Sequence, residues 1–233
     1  MSIDRENSSL SAKSIYDFTP FTHLDYPNHL ACIVWFSGCN MRCSYCYNKD
    51  IVLAKNGKYS PQDILDFLKK RVGLLDGVVL SGGEASMQDL LPFCKEIKSR
   101  GFKIKLDTNG TNPKLIGSLL DLDLLDYIAL DYKAPQAKFA KVTLSNKFDE
   151  FSQTLDLLLE RNFPFEARTT LHLDLLDEED INEIAYDLAS RGYKKPYFVQ
   201  LFRDTGTNIG DIRESSKKLN EELFDKNLKI DLR

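Results

Sequence analysis

The 233-residue chain has little of what marks unusual protein classes. Its 12 glycines and 8 prolines are too few for collagen-like or low-complexity structure. Neither sign of charge dominates: 31 Lys+Arg stand against 35 Asp+Glu, a net charge of −4. That balance gives no general drive toward nucleic acid or an anionic membrane, so neither is expected as a partner. Long apolar runs are missing too. The longest, Leu30 to Phe36, falls far short of the about 20 residues that a spanning helix needs. The opening residues, MSIDRENSSLSAKS, carry no apolar signal core, so a cytoplasmic location is expected. Cysteine is scarce and odd in number: Cys32, Cys39, Cys43, Cys46 and Cys94. Three of the five fall within eight residues. A secreted disulfide framework is a poor reading of that pattern, and a thiolate cluster for a metal is a good one.

What is present is a rhythm. A short β-branched or aromatic run ends in a polar motif, and a helical pattern follows. Residues 1–15 read as a flexible N-terminal arm and 16–233 as one domain. Strands are expected over Leu30–Phe36, Gly77–Leu80, Phe102–Leu106, Tyr127–Leu130, Phe165–Leu171 and Tyr197–Phe202, with an edge strand over Leu228–Leu232. Ser60-Pro61-Gln62-Asp63 reads as a helix start, with Ile64, Leu65, Phe67, Leu68 and Val72 as its apolar face. Further helices are expected from about Ser86, from Asn112-Pro113, and over about Lys147–Arg161, Glu178–Ser190 and Glu214–Lys226. Tyr16, Phe18 and Phe21 read as packing the N-terminal arm against the domain.

Strands alternating with helices imply parallel pairing through right-handed crossovers. Six such units are too few for a closed eight-stranded barrel. The expectation is an α/β fold, either a partial, open six-unit β/α barrel or a doubly wound sheet. Ligands of such sheets bind at the C-terminal ends of the strands. Glu84, Asp107, Asp131, Lys133 and Arg168 are all expected on that rim. Asp131 and Lys133 form a D-x-K pair whose alternation puts both on one face. The competing reading is a surface ion pair, worth little.

The most specific signal is GCNMRCSYCYN, which spaces Cys39, Cys43 and Cys46 as C-x-x-x-C-x-x-C. Three thiolates on one tight loop can hold three corners of a 4Fe-4S cube and leave the fourth iron without a protein ligand. Structural zinc is the alternative, and it would need a fourth ligand from Cys32, Cys94, His23, His29 or His172. Cys32 and Cys94 lie in apolar strand and helix patterns and read as core. His172 reads as a satisfied core or rim histidine.

This cysteine spacing, with Tyr45 just before the last Cys and SGGE at the next strand end, resembles the radical SAM superfamily from about Asp17 to Arg203. The resemblance implies that Cys39, Cys43 and Cys46 ligate a 4Fe-4S cluster whose open iron takes S-adenosylmethionine. It implies further contacts with that cofactor from Tyr45, Tyr47, Gly82, Gly83, Glu84, Asp107, Asp131, Lys133, Arg168 and Arg203. Tyr45 would lie near the adenine. Gly82 and Gly83 would let the backbone approach the methionine end. Glu84 would fix the ammonium or orient its loop, and Arg168 would take a carboxylate. Within the superfamily, Asp25-Tyr26-Pro27, DTNG and D-x-K resemble the glycyl-radical-enzyme activating enzymes. The match is best to activators of anaerobic ribonucleoside-triphosphate reductase, then to those of pyruvate formate-lyase. Such an enzyme takes an electron from flavodoxin or ferredoxin and cleaves S-adenosylmethionine to a 5′-deoxyadenosyl radical. That radical removes hydrogen from a glycine of its partner, a glycyl radical enzyme. The alternative within the superfamily is a small-molecule enzyme such as a 7-carboxy-7-deazaguanine synthase.

Overall fold

A computed structural model describes residues 10–226 and 228–233 of the chain. The arm expected over 1–15 therefore lies outside the described residues as far as residue 9. Beyond it, Ser14 already receives a hydrogen bond from Ser37 N at 2.9 Å, and the first strand begins at Ile15.

In chain order the elements are β1 (Ile15–Thr22), β2 (Ala31–Phe36), α1 (Lys49–Leu53), α2 (Pro61–Lys69), β3 (Gly77–Gly82), α3 (Leu90–Ser99) and β4 (Lys103–Thr108). They continue with α4 (Pro113–Asp121), β5 (Tyr127–Asp131), α5 (Gln136–Thr143), α6 (Phe148–Glu160), β6 (Phe165–Leu171), α7 (Glu178–Ser190), β7 (Tyr197–Leu201) and β8 (Ile230–Leu232). The strands form one eight-stranded sheet in the order of the sequence, open and with β1 and β8 as its edges. The α/β open-sheet expectation holds: β8 is the expected edge strand, and β1 is the one strand beyond those expected.

The chain divides into two compact units. One comprises Met1–Asn40, Asp50–Thr108 and Lys114–Ile128; the other comprises Met41–Lys49, Asn109–Pro113 and Ala129–Arg233. In the first unit, β1 pairs antiparallel with β2, placing Phe18 beside Val34. This strand was not anticipated, because Pro20 interrupts its aromatic alternation. As expected, Phe18 packs inward, with ring centroids 5.2 Å from Tyr59 and 5.0 Å from Phe67. Phe21 is exposed. β2, β3 and β4 run parallel, Cys32 beside Val78 and Val78 beside Ile104. A parallel strand is covered on both faces, so Val78, Val79 and Leu80 are all fully buried.

Helix α2 starts as read. Ser60 Oγ accepts from Asp63 N at 3.2 Å, and Asp63 Oδ2 accepts from Ser60 N at 2.7 Å, a reciprocal capping box. Ile64, Leu65 and Leu68 are its buried stripe, whereas Val72 lies beyond the helix end and is exposed. The helix expected from Ser86 opens as a 3-10 turn, Ala85–Met87, and continues as α3. Cys94 is fully buried on α3 and Cys32 on β2, as expected of core residues.

In the second unit β6, β7 and β8 run parallel. The helix expected over Glu214–Lys226 is absent apart from a 3-10 turn, Glu221–Leu223. Side chains there compete for the backbone: Ser215 Oγ accepts from Lys217 N at 3.1 Å and Asn220 Oδ1 from Glu222 N at 3.2 Å. Ser and Asn favour such local bonds over helix, and the stretch offers few apolar residues to repay one. Helices α1 and α5, short and weakly periodic, were not anticipated.

Replacing Ser60 by Ala removes one side of the capping box. The variant is expected to lose about 1 kcal/mol of stability in urea unfolding; an unchanged midpoint would contradict the role of this cap.

Candidate functional site

In the first unit the expected residues gather where β3 and β4 end. The SGGE turn leaves β3 and bonds to the stretch leading into the cysteine loop. Gly83 N donates to Phe36 O and Glu84 N to Gly38 O, both at 2.9 Å. A Cβ on Gly83 would overlap the Gly38 carbonyl, and one on Gly82 (φ +116°) would overlap the backbone of Phe36. These glycines therefore serve a close backbone approach to the chain just before Cys39. Glu84, 2% exposed, uses Oε1 to accept from Ser86 N at 3.1 Å and from Thr108 Oγ1 at 2.7 Å. These bonds hold the SGGE turn against the end of β4. Asp107 accepts from Lys105 Nζ at 2.7 Å and from Ser81 Oγ at 3.2 Å. Lys105 is 3% exposed. It went unnoticed in the sequence, although K-x-D on one strand puts both residues on one face.

In the second unit the centre is Asp131. Its Oδ1 accepts from Arg168 Nε at 2.5 Å and its Oδ2 from Lys133 Nζ at 2.8 Å. The D-x-K pair is thus a mostly buried three-residue charge group, and the surface-pair reading fails. Arg168 reaches it from the middle of β6, the fourth of seven residues, so it lies below the expected rim. Burial pushes the Asp131 carboxyl up, but Arg168 and Lys133 outweigh it and hold its pKa at about 2. Arg168 and Lys133 are donors of the kind that suit a carboxylate.

Cys43 is 6% exposed, and burial raises its thiol pKa. Cys46 N donates to Cys43 O at 3.0 Å, so these two share a turn. Tyr45 is 5% exposed, and its hydroxyl is buried with no hydrogen-bond partner at normal distance. Tyr47, by contrast, is 61% exposed. Arg203 follows β7 and is exposed. His172 is the satisfied histidine expected: Nδ1 accepts from Asp174 N at 3.2 Å and Nε2 lies 2.7 Å from Arg213 O.

Residues 33–188 match the Radical SAM superfamily. That is more than half of the chain, and the chain belongs to this superfamily. It is homologous to glycyl-radical enzyme activating enzymes. A Methanocaldococcus jannaschii protein named as one, MJ1227, is 33% identical over 172 residues, 70% of each chain. A 7-carboxy-7-deazaguanine synthase of a Synechocystis species is 32% identical over 111 residues, covering 46% of this chain and 49% of that one. Among solved structures, anSMEcpe with bound AdoMet aligns with a TM-score of 0.57 at 17% identity, over 71% of this chain. This chain spans 48% of that one, and the likeness shows a shared fold.

The superfamily uses a 4Fe-4S cluster and S-adenosylmethionine. The donor chemistry fits: Cys39, Cys43 and Cys46 are thiols not joined in disulfides, the soft ligands iron–sulfur clusters take. Among the described residues no three His, Cys, Asp or Glu side chains stand grouped as a ready-made metal site. The buried Tyr45 hydroxyl, without a hydrogen bond of ordinary geometry, lies beside the Cys43 thiol on the same loop.

Two outcomes follow. Tyr45→Phe removes the unpaired hydroxyl and keeps the ring, so the metal-free variant is expected to be as stable as the parent or about 1 kcal/mol more stable; a clear loss in thermal unfolding would mean that the hydroxyl is satisfied. Asp131, held below its ordinary 3.8, contributes stability above about pH 4, lost as pH falls toward about 2. The stability gap between the parent and Asp131→Asn is therefore expected to be widest above pH 4 and to close toward pH 2. A gap that does not change with pH in urea titrations would rule this out.

Proposed function

We propose that this protein is a radical SAM activating enzyme that installs a glycyl radical on a partner, and that the partner is an anaerobic ribonucleoside-triphosphate reductase. Cys39, Cys43 and Cys46 would hold the 4Fe-4S cluster. When bound, the cluster and S-adenosylmethionine supply a one-electron reductive cleavage, driven by flavodoxin or ferredoxin, that yields the abstractor of a glycine hydrogen. The protein's own share is to bind, orient and shield. Arg168 would take the cofactor's carboxylate, with Asp131 and Lys133 beside it. Glu84 would keep the SGGE turn in shape, and the Tyr45 ring would lie against the adenine. Gly82, Gly83, Asp107 and Arg203 are assigned to the same cofactor. Tyr47 and Arg203 are the weakest members of the set, because both are exposed. Such a reaction belongs in the cytoplasm, where thiols stay reduced.

The observation that carries this reading is the pair of backbone bonds from Gly83 and Glu84 to Phe36 and Gly38. They tie the SGGE turn to the entry of the three-thiol loop, the two motifs on which the radical SAM resemblance rests. The relative MJ1227 supports the choice of activation over small-molecule chemistry.

Anaerobically reconstituted protein, given S-adenosylmethionine and dithionite, is expected to form 5′-deoxyadenosine, and Cys43→Ala is expected to abolish it. With an anaerobic ribonucleotide reductase present, a glycyl radical should appear by electron paramagnetic resonance. Turnover of a free deazapurine precursor without any protein partner would decide for the synthase reading instead.

A further inference from the structure

Two stretches of the second unit meet in a way that the proposed function leaves without a purpose. One is the later half of the cysteine loop, Ser44–Cys46. The other is the irregular segment 204–213 that follows β7. Ile209 N donates to Cys46 O at 3.1 Å, and Gly210 N donates to Ser44 O at 2.8 Å. A Cβ on Gly210 would stand 2.5 Å from Ser44 Cβ and 3.0 Å from its Cα. Gly210 is not among the residues of positive φ, so the requirement is one of space rather than of backbone conformation.

The segment is itself held from within and from behind. Asn208, 2% exposed, donates from Nδ2 to Ile212 O at 2.8 Å and accepts at Oδ1 from Ile212 N at 2.9 Å. His172 is 3% exposed. Its Nδ1 accepts from a backbone N–H, so Nε2 carries the proton and donates to Arg213 O at 2.7 Å. The Lys49–Asp211 pair, 3.7 Å apart with Asp211 exposed, adds little.

We propose that residues 204–213 are a strap over the cysteine loop, with Gly210 and Asn208 as positioning residues. The strap holds Ser44–Cys46 in one conformation, so that the thiols of Cys43 and Cys46 meet incoming iron already ordered and the loop's ordering cost falls before binding. The benefit to a cluster rests on the proposed function; the strap itself is measurable in the metal-free chain. Losing two backbone hydrogen bonds is expected to raise local opening about tenfold.

The experiment is alkylation of metal-free protein with iodoacetamide at one pH, with each cysteine quantified by peptide mapping. Cys43 reports opening of the loop, and Cys94, fully buried in α3, reports general unfolding. Gly210→Ala is expected to speed Cys43 about tenfold relative to Cys94. Adding Ser44→Gly, which removes the Cβ in the way, should bring the rate back toward that of the parent. Asn208→Ala should speed Cys43 as well. An unchanged Cys43 rate in both single variants, or a rise in step with Cys94, overturns the strap. A parent protein that takes up no iron and sulfide would sink the proposed function, and the alkylation rates would still decide the strap.

Discussion

Parallel pairing is the constraint on which the rest depends. Two parallel strands cannot be joined by a tight turn, so each must be followed by a crossover, and every such strand ends on the same side of its sheet. In the first unit this places the SGGE turn after β3 and Asp107 near the end of β4 as neighbours, Ser81 hydrogen-bonding across to Asp107. It also brings β3 beside β2, so that the turn leaving β3 lies against the chain leaving β2. That contact leaves no room for a Cβ at Gly82 or Gly83. The glycines are there because two strand ends have to touch.

The second consequence is electrostatic. Strands buried on both faces can carry charge only where it is paired. Lys105 is matched by Asp107 at 2.7 Å. Asp131 is matched twice, by Lys133 and Arg168. A group of this kind is poor at adding stability, because the desolvation of its members consumes most of the attraction. What it does is fix the three side chains relative to one another before any ligand arrives.

Legibility followed the range of the interactions. The strands over Phe165–Leu171 and the helix over Glu178–Ser190 were read to the residue. Each has a strong local pattern and, in the helix, a capping box at Asp177 and Asp180. The helix expected over Glu214–Lys226 failed because Ser215 and Asn220 bind the neighbouring backbone themselves. β1 was missed because it is held by pairing with β2, a partner that no local pattern announces. The same distinction runs through the candidate site. The three cysteines, SGGE and D-x-K are contiguous motifs and were found. The bond of Thr108 to Glu84 and the approach of Gly210 to Ser44 depend on what lies across from them and were not, and Lys105, two residues before Asp107, was overlooked.

The amino-acid sequence by itself determined the class of fold, the cysteine spacing and the residues that carry charge to the strand ends, since period, turn chemistry and ligand type are all local properties. Tertiary structure alone decided how those residues are used. Arg168 reaches Asp131 across 37 positions of sequence, Glu84 is held by Thr108, and Gly210 lies against Ser44. Pairings of this kind depend on which chain segments are packed together, and packing is a property of the folded whole that no short window of sequence contains.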